Sequence, residues 1–306
     1  MEAGKLLITE ERVASEFLIA PPNRFRAAVV AVRKFIVRKP LGALSAMVIL
    51  LLLLTAAIGP WFAPYSYDEL NIPNRLEGPS REHLAGTDAQ GRDVFSRIVY
   101  GARTSIFIGF GAVALSTFIA TTLGIISGYK AGWFDTIVQR FVDIWQAFPG
   151  LIFIIFMVSI IGPSQVGLII IMGLLFSGGA SRLVRGATIA ASSEMYIEAA
   201  RSIGASDFRI YTRYLLPNIA PVILVSISIR VGAVILVESG LSFLGYGVPP
   251  PFPSWGRMLQ EAQTYMLRAP WLALFPGLSI AIVVYSFSMF GDALRDVLDP
   301  RLRGSR

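Results

Sequence analysis

A chain of 306 residues that is 54% hydrophobic and only 15% charged is not an ordinary soluble domain, in which about 25% of residues are charged. This composition predicts an integral membrane protein; the lack of cysteine excludes disulfides and thiolate metal sites, and the single histidine, His83, cannot build a zinc cluster alone. The formal charge of +7 comes mostly from basic residues that flank apolar segments, which indicates membrane lipid as a partner and argues against nucleic acid.

The first predicted segment is a basic tail, residues 1–40, which carries eight Lys or Arg and no long apolar run. It is therefore not a secretory signal peptide. Within it, Arg24 to Lys39 mixes apolar and basic residues and is predicted to form an amphipathic helix on the inner membrane surface. A solvated basic tail is the alternative. Both interpretations place the N-terminus in the cytoplasm.

Residues 41–102 are predicted to form the first transmembrane helix and an external loop. Leu41 to Phe62 is about 20 apolar residues long, as a bilayer requires. The polar segment that follows runs to roughly Ala102 and contains His83 near aspartates and serines. Hydrolase chemistry is not expected there, because no nucleophile turn or orienting group accompanies the histidine.

Residues 103–292 are predicted to form a core of five further membrane helices. Gly124 and Gly128 in span two form a small-xxx-small pair that lets another helix approach closely. An amphipathic inside turn, Lys130 to Asp143, precedes span three, which has a kink at Phe148-Pro149-Gly150. The predicted spans two to six are Thr104 to Gly128, a span ending at Ile161, a span ending near Val184, Ile219 to Leu244, and Trp271 to Phe290. Residues 293–306 are predicted to be a cytoplasmic tail.

The one long polar interruption of the apolar second half lies at 186–218. A helix is predicted from Ser192 or Ser193 to Ile203, where Gly204 breaks it. Ser206 is expected to cap a second helix, which Pro217 ends. The apolar face of that second helix is predicted to consist of Phe208, Tyr211 and Leu215. The small residues presented to a partner are predicted to be Ala199, Ala200 and Gly204.

Span five contains two charges, Arg230 and Glu238, eight residues apart and so on about the same face. Each costs about 2.5–3.5 kcal/mol at the middle of a membrane helix, so both are expected to face protein or water. They are candidates for lining or gating a translocation pathway. A buried pair, or a hydration site in a pore wall that only holds the helix in place, is the alternative.

Several strings resemble a known family. Glu198-Ala199-Ala200, Gly204 and Leu216-Pro217 resemble the cytoplasmic coupling loop of membrane subunits in bacterial ATP-binding-cassette (ABC) importers, except that Tyr214 stands where that family usually has isoleucine. The strings beginning at His83, Glu238 and Gly291 resemble the C-type subunit of dipeptide, oligopeptide and nickel permeases. The resemblance covers about residues 40–301.

The resemblance implies an all-α integral membrane protein with six transmembrane helices in the type I ABC importer (MetI-like) permease fold, with both termini cytoplasmic. The charges agree with this topology, since 19 of the 27 Lys and Arg fall in the predicted inside segments. The expected location is the plasma (inner) membrane of a bacterium or archaeon.

The resemblance also implies a function. The chain would be a permease subunit that pairs with a homologous permease subunit, docks two ABC ATPase subunits through residues 193–217 and receives peptides from an external substrate-binding protein. The coupling residues would be Glu198, Ala199, Ala200, Gly204, Leu216 and Pro217. The chain itself would be no enzyme and bind no cofactor, with ATP and Mg on the ATPase subunits.

The sequence agrees with an external energy source, because the only lysine that follows a glycine, Lys5, precedes Leu6 where a phosphate-binding loop needs Ser or Thr. The same machinery carrying nickel or another small solute is an alternative. A secondary transporter or channel without an ATPase, and an intramembrane enzyme, are alternatives of different classes. The enzyme requires paired aspartates or a histidine motif inside a span, which the sequence lacks.

Overall fold

The computed structural model describes residue 33 and residues 35–298. Most of the predicted amphipathic helix at 24–39 and the end of the C-terminal tail lie outside these residues. The described part is helical, and its only β feature is an isolated bridge between Thr87 and Asp93. The main helices are α1 (Pro40–Phe62), α2 (Val94–Lys130), α3 (Gly132–Ala147), α4 (Gly150–Ile161), α5 (Gln165–Ser192), α6 (Met195–Ser202), α7 (Asp207–Phe243), α8 (Trp255–Ala262) and α9 (Trp271–Leu298).

Five of the described helices, α1, α2, α5, α7 and α9, are each long and apolar enough to cross a membrane. A sixth crossing is obtained if α3 and α4, which meet at a bend of 83°, count together as one span. The 12 residues of α4 rise only about 18 Å, against a hydrocarbon core of about 30 Å. Thus α4 alone is too short to span.

The bend between α3 and α4 lies where the sequence predicted it. Phe148 is extended (φ −79°, ψ 133°), as expected of a residue before proline, and Pro149 is the N-cap residue of the next helix. The prediction of a short turn over Lys130 to Asp143 is wrong, because residues 132–147 form a helix of 16 residues. Ion pairs from Asp135 to Arg185 and from Asp143 to Arg182 fix this helix to α5.

Helix α2 begins ten residues earlier than the predicted span two. Asp93 caps it by accepting a hydrogen bond from the Ser96 amide at 2.7 Å. The helix therefore starts within the segment predicted to be external and continues through the predicted span two. The hydropathy pattern missed these ten residues because they include Arg97 and Arg103, which end an apolar window without ending a helix.

Helices α2 and α5 pack closely at the predicted glycine pair. A Cβ on Gly124 would lie 2.7 Å from Val184 Cβ, and one on Gly128 would lie 2.9 Å from the Arg185 carbonyl oxygen. Both glycines are buried. This confirms that the pair lets a second helix approach, as small residues do in membrane bundles.

The buried apolar residues form two clusters. The larger one is built mainly by α2, α5, α7 and α9. The smaller one joins the cores of α2, α5 and α7 to the polar segment between α5 and α7, through Ile125, Val184, Ala191, Ile197, Ile210, Leu215, Ile219 and Ile223. Packing therefore fixes the polar segment to three membrane helices.

Candidate functional site

We call residues 193–217 the elbow. Its first part is α6, which ends at a glycine turn. Gly204 has φ +76°, its amide donates to the Arg201 carbonyl at 2.9 Å, and the Ala205 amide donates to the Ala200 carbonyl at 3.0 Å. These two bonds define a Schellman motif, which requires a left-handed residue and so favours glycine. The prediction that Gly204 ends the first helix is confirmed.

The second part of the elbow is continuous with the membrane helix that follows. Residues 210–215 form a π-helical segment between Asp207–Arg209 and the α-helix that begins at Leu216. The prediction that Pro217 ends a separate second helix is wrong, because Pro217 lies in the first turn of this α-helix. A proline ring clashes with the carbonyl four residues earlier in a regular helix, and the wider π turn before it relieves this conflict.

The π segment also changes which side chains face the core. Ile210 and Leu215, five residues apart, are both fully buried, whereas Phe208 is 75% exposed. The predicted face of Phe208, Tyr211 and Leu215 is therefore wrong. The prediction assumed 3.6 residues per turn, and a turn with hydrogen bonds between residues five apart brings positions i and i+5 to the same side. Ser206 stands at the predicted cap position, but its side chain makes no capping hydrogen bond.

The outer surface of the elbow combines the predicted residues with apolar side chains that the sequence analysis missed. Glu198, Ala199, Gly204, Leu216 and Pro217 are exposed. Ala200 is only 2% exposed, so the prediction that it faces a partner is wrong: it packs inward, because it lies one turn from the buried Ile197. The most exposed large apolar side chains of the elbow are Met195, Ile203 and Phe208, exposed by 83%, 80% and 75%.

Three large apolar side chains on a polar segment have a cost in water unless another molecule covers them. Their position on both sides of the glycine turn was visible in the sequence as apolar residues within a polar stretch. Phe208 was predicted to lie on the apolar face of the second helix, and Met195 and Ile203 were given no role, because the burial of a residue does not follow from its type alone. In the chain they lie on either side of Gly204, and their exposure gives the elbow apolar area that is suited to protein contact.

Arg230 and Glu238 are held separately. The Arg230 guanidinium donates to Ser116 Oγ at 2.9 Å and to Thr117 Oγ1 at 3.2 Å, both on α2. Glu238 is fully buried and accepts from Ser242 Oγ at 2.7 Å. Among the described residues neither forms an ion pair, so the alternative of a buried Arg–Glu pair is wrong.

At the opposite end of α2 from the elbow, an ionic cluster joins the loop before α2 to α8. Arg97, 2% exposed, contacts Asp88 at 2.6 Å and Glu261 at 2.8 Å. Arg92 contacts the same two carboxylates. Burial raises the pKa of Glu261, but the nearby arginines outweigh this effect and hold its pKa below the ordinary value.

His83 belongs to the same region and has a structural role. Its Nδ1 lies 2.9 Å from Asp93 Oδ1, and the other oxygen of this carboxylate caps α2. Within the described ranges there is no cluster of His, Asp and Glu that could hold a metal ion. The buried His–Asp contact thus anchors the start of α2.

The chain matches two family models. Residues 120–304 match the model described as binding-protein-dependent transport system inner membrane component. Residues 30–79 match the N-terminal TM domain of oligopeptide transport permease C.

Curated relatives cover nearly the whole chain. It is 41% identical to the dipeptide transport system permease protein DppC of Alkalihalophilus pseudofirmus over 266 residues, which is 87% of this chain and 88% of the relative. It is 40% identical to the glutathione transport system permease protein GsiD of Pectobacterium atrosepticum over 277 residues, 89% and 90% of the two chains. Among solved structures, a chain of the MetNI methionine ABC transporter in an inward-facing conformation has a TM-score of 0.54 at 18% identity, covering 66% of this chain and 95% of that chain. This last likeness concerns the fold alone.

Proposed function

Because the chain belongs to the family of binding-protein-dependent transport system inner membrane components and is a transmembrane permease subunit of an ABC importer, we propose that its elbow docks an ATPase subunit of that importer. The observation that carries the proposal is that Met195, Ile203 and Phe208, three large apolar side chains of the elbow, are each at least 75% exposed. Subunits of this kind are not enzymes themselves. The work of transport then has to enter through a contact with another protein.

The elbow suits this role because one side of it is packed against the membrane helices and the other side is exposed. Ile197, Ile210 and Leu215 are fully buried against the membrane helices, and Asn218 donates to the Tyr196 hydroxyl. A force on the outer surface therefore reaches the helix cores instead of being lost in a flexible loop. Glu198, in the first turn of α6, adds a negative charge that a partner cation can pair with.

The proposed orientation places both termini and the elbow in the cytoplasm of a bacterial inner membrane. With the α3–α4 pair counted as one span, four crossings separate the N-terminus from the elbow, so the two lie on the same side. The 19 Lys and Arg of the proposed inside segments, out of 27, support this orientation. It places the elbow where ATP is available.

The proposed assembly contains a homologous permease subunit, two ATPase subunits that bind ATP and Mg, and an external substrate-binding protein. This chain holds no cofactor in the proposal. The proposed cargo is short peptides, because relatives at about 40% identity are named for dipeptide and glutathione transport, and glutathione is a tripeptide.

Arg230 is the proposed pathway residue, and Glu238 is a residue that fixes α7. The half-buried Arg230 has neutral hydroxyl partners and no carboxylate partner among the described residues, so its charge is available to a passing anionic group. Glu238 is fully buried and bonded to Ser105 and Ser242, which leaves it no face toward a pathway.

Labelling of single cysteines tests the orientation and the docking together. The chain has no cysteine, so Ser206→Cys on the elbow and Leu70→Cys on the opposite side, both at exposed positions, give clean probes. In intact cells a membrane-impermeant maleimide should label the variant at 70 and not the variant at 206. After permeabilisation, bound ATPase subunits should protect position 206. Labelling of position 206 from outside intact cells would refute the proposal.

A further inference from the structure

The last turn of α2 carries an aromatic side chain that contacts both parts of the elbow. Arg201 of α6 places its guanidinium carbon 4.6 Å from the centroid of the Tyr129 ring, and its Nε donates to the Tyr129 hydroxyl at 3.0 Å. Tyr211, in the π segment of α7, packs edge to face on the same ring, with centroids 5.1 Å apart and planes at 83°. Tyr129 is thus the meeting point of α2, α6 and α7.

The anchoring of α6 does not depend on Arg201. Ile197 and Ala200 already bury the inner face of α6, whereas Arg201 is exposed and extends from the elbow to Tyr129. An arginine that is both stacked on a ring and hydrogen-bonded to its hydroxyl has a defined geometry, which lysine would not reproduce. The contact therefore adds a defined orientation between α6 and α2 to the anchoring that Ile197 and Ala200 already supply.

The Tyr211 side is locally unfavourable. Its hydroxyl is buried and has no hydrogen-bond partner among the described residues, and it lies within the π segment. Buried unsatisfied groups and π turns both cost stability and are typical of functional sites. A chain selected only for stability would place phenylalanine here. Tyr211 thus makes its ring contact with Tyr129 from a π-helical turn and with a buried hydroxyl that lacks a hydrogen-bond partner among the described residues.

We propose that Tyr129, Arg201 and Tyr211 are positioning residues that transmit displacement of the elbow to α2 as well as to α7. This inference rests on the proposed docking of an ATPase subunit at the elbow. The direct covalent route from the elbow leads only into α5 and α7. Beside the packing of Ile125, the Tyr129 cluster gives the elbow a directional contact with α2, whose hydroxyls Ser116 and Thr117 hold Arg230. Movement of the elbow then moves both sides of the Arg230 contact together.

The test uses the complete importer in proteoliposomes: this chain, its partner permease, the ATPase subunits and the binding protein. Tyr129→Leu and Arg201→Gln should retain the ATPase subunits within about twofold but lower the cargo transported per ATP hydrolysed by about fivefold or more. Tyr129→Phe, which keeps the ring, should have a smaller effect. Arg81→Gln is the control, since Arg81 is an exposed arginine outside the elbow that makes no side-chain hydrogen bond or ion pair among the described residues.

A double variant distinguishes transmission from general weakening. If Arg201 acts through Tyr129, Tyr129→Leu combined with Arg201→Gln should lower the ratio no further than either change alone. Transport per ATP within twofold of wild type in Tyr129→Leu would overturn the inference. Loss of the ATPase subunits from both single variants would also overturn it, because the cluster would then belong to the docking surface. Failure of the wild-type chain to retain the ATPase would instead refute the docking proposal on which the inference rests.

Discussion

Substitution of the glycine that ends α6 should open the elbow by a predictable amount. At φ +76° an alanine carries a left-handed strain of about 1–2 kcal/mol, although a Cβ there would meet nothing within 4 Å. The strain is released if the turn opens and gives up the hydrogen bonds to the Arg201 and Ala200 carbonyls. Gly204→Ala should therefore shift the equilibrium toward the open turn by about five- to thirtyfold.

Hydrogen exchange measures this shift directly, as a loss of protection of about the same factor in the peptide containing the Gly204 and Ala205 amides. Transport per ATP should fall in the same variant, because the docking surface loses its fixed geometry. Gly186→Ala is the control: it adds the same methyl group to open space, at a helical glycine without positive φ. Unchanged protection in Gly204→Ala, or an equal loss in Gly186→Ala, would refute the reasoning.

Two further predictions concern the helix contacts and the ionic cluster. Gly124→Ala should force α2 from Val184 at a cost of about 1–3 kcal/mol, because the added Cβ would lie 2.7 Å from Val184 Cβ. The melting temperature of the purified protein should fall well below that of Gly240→Ala, whose added Cβ meets nothing within 4 Å, and equal melting temperatures would contradict this. The depressed pKa of Glu261 means that its stabilising contribution is complete above the ordinary pKa of 4.5 and is lost as the pH falls through the lower folded value. The melting-temperature difference between wild type and Glu261→Gln should accordingly shrink on acidification, and a difference independent of pH would contradict the assigned pairing with Arg97.

The sequence predicted the position of the first membrane helix, because the thickness of the bilayer sets the length of an apolar span. A span must be about 20 residues long and apolar, so hydropathy placed the first helix at Leu41 to Phe62, one residue from its observed start at Pro40. The same criterion failed for α2, because a helix that continues beyond the apolar region is ended by its capping contacts and not by polarity. Asp93 sets that start, and its role depends on a hydrogen bond that hydropathy does not register.

The elbow was predicted in outline and missed in register. Gly204 was identified because a left-handed turn leaves a local signal, the glycine itself. The π segment leaves no comparable signal in the sequence. It depends both on Pro217 lying inside a continuing helix and on the burial of Ile210 and Leu215 in the core. The exposure of Phe208 and the burial of Ile210 followed from that one change of helix type. Arg230 and Glu238 share a helix face as predicted, but their partners come from α2 and α7 and depend on tertiary packing.

The continuity of the elbow with α7 decides how a partner can act on this chain. Had Pro217 ended a separate helix, displacement of the elbow would be absorbed by a loop. Instead, 37 residues from Asp207 to Phe243 form one helix about 55 Å long, with Phe208 exposed at one end and Glu238 fixed in the core near the other. The glycine turn separates α6 from this helix, and the π segment is the irregular part of the helix nearest to that turn. A push at Phe208 thus acts on one continuous helix, and α2 contacts this helix at Tyr211, within the π segment.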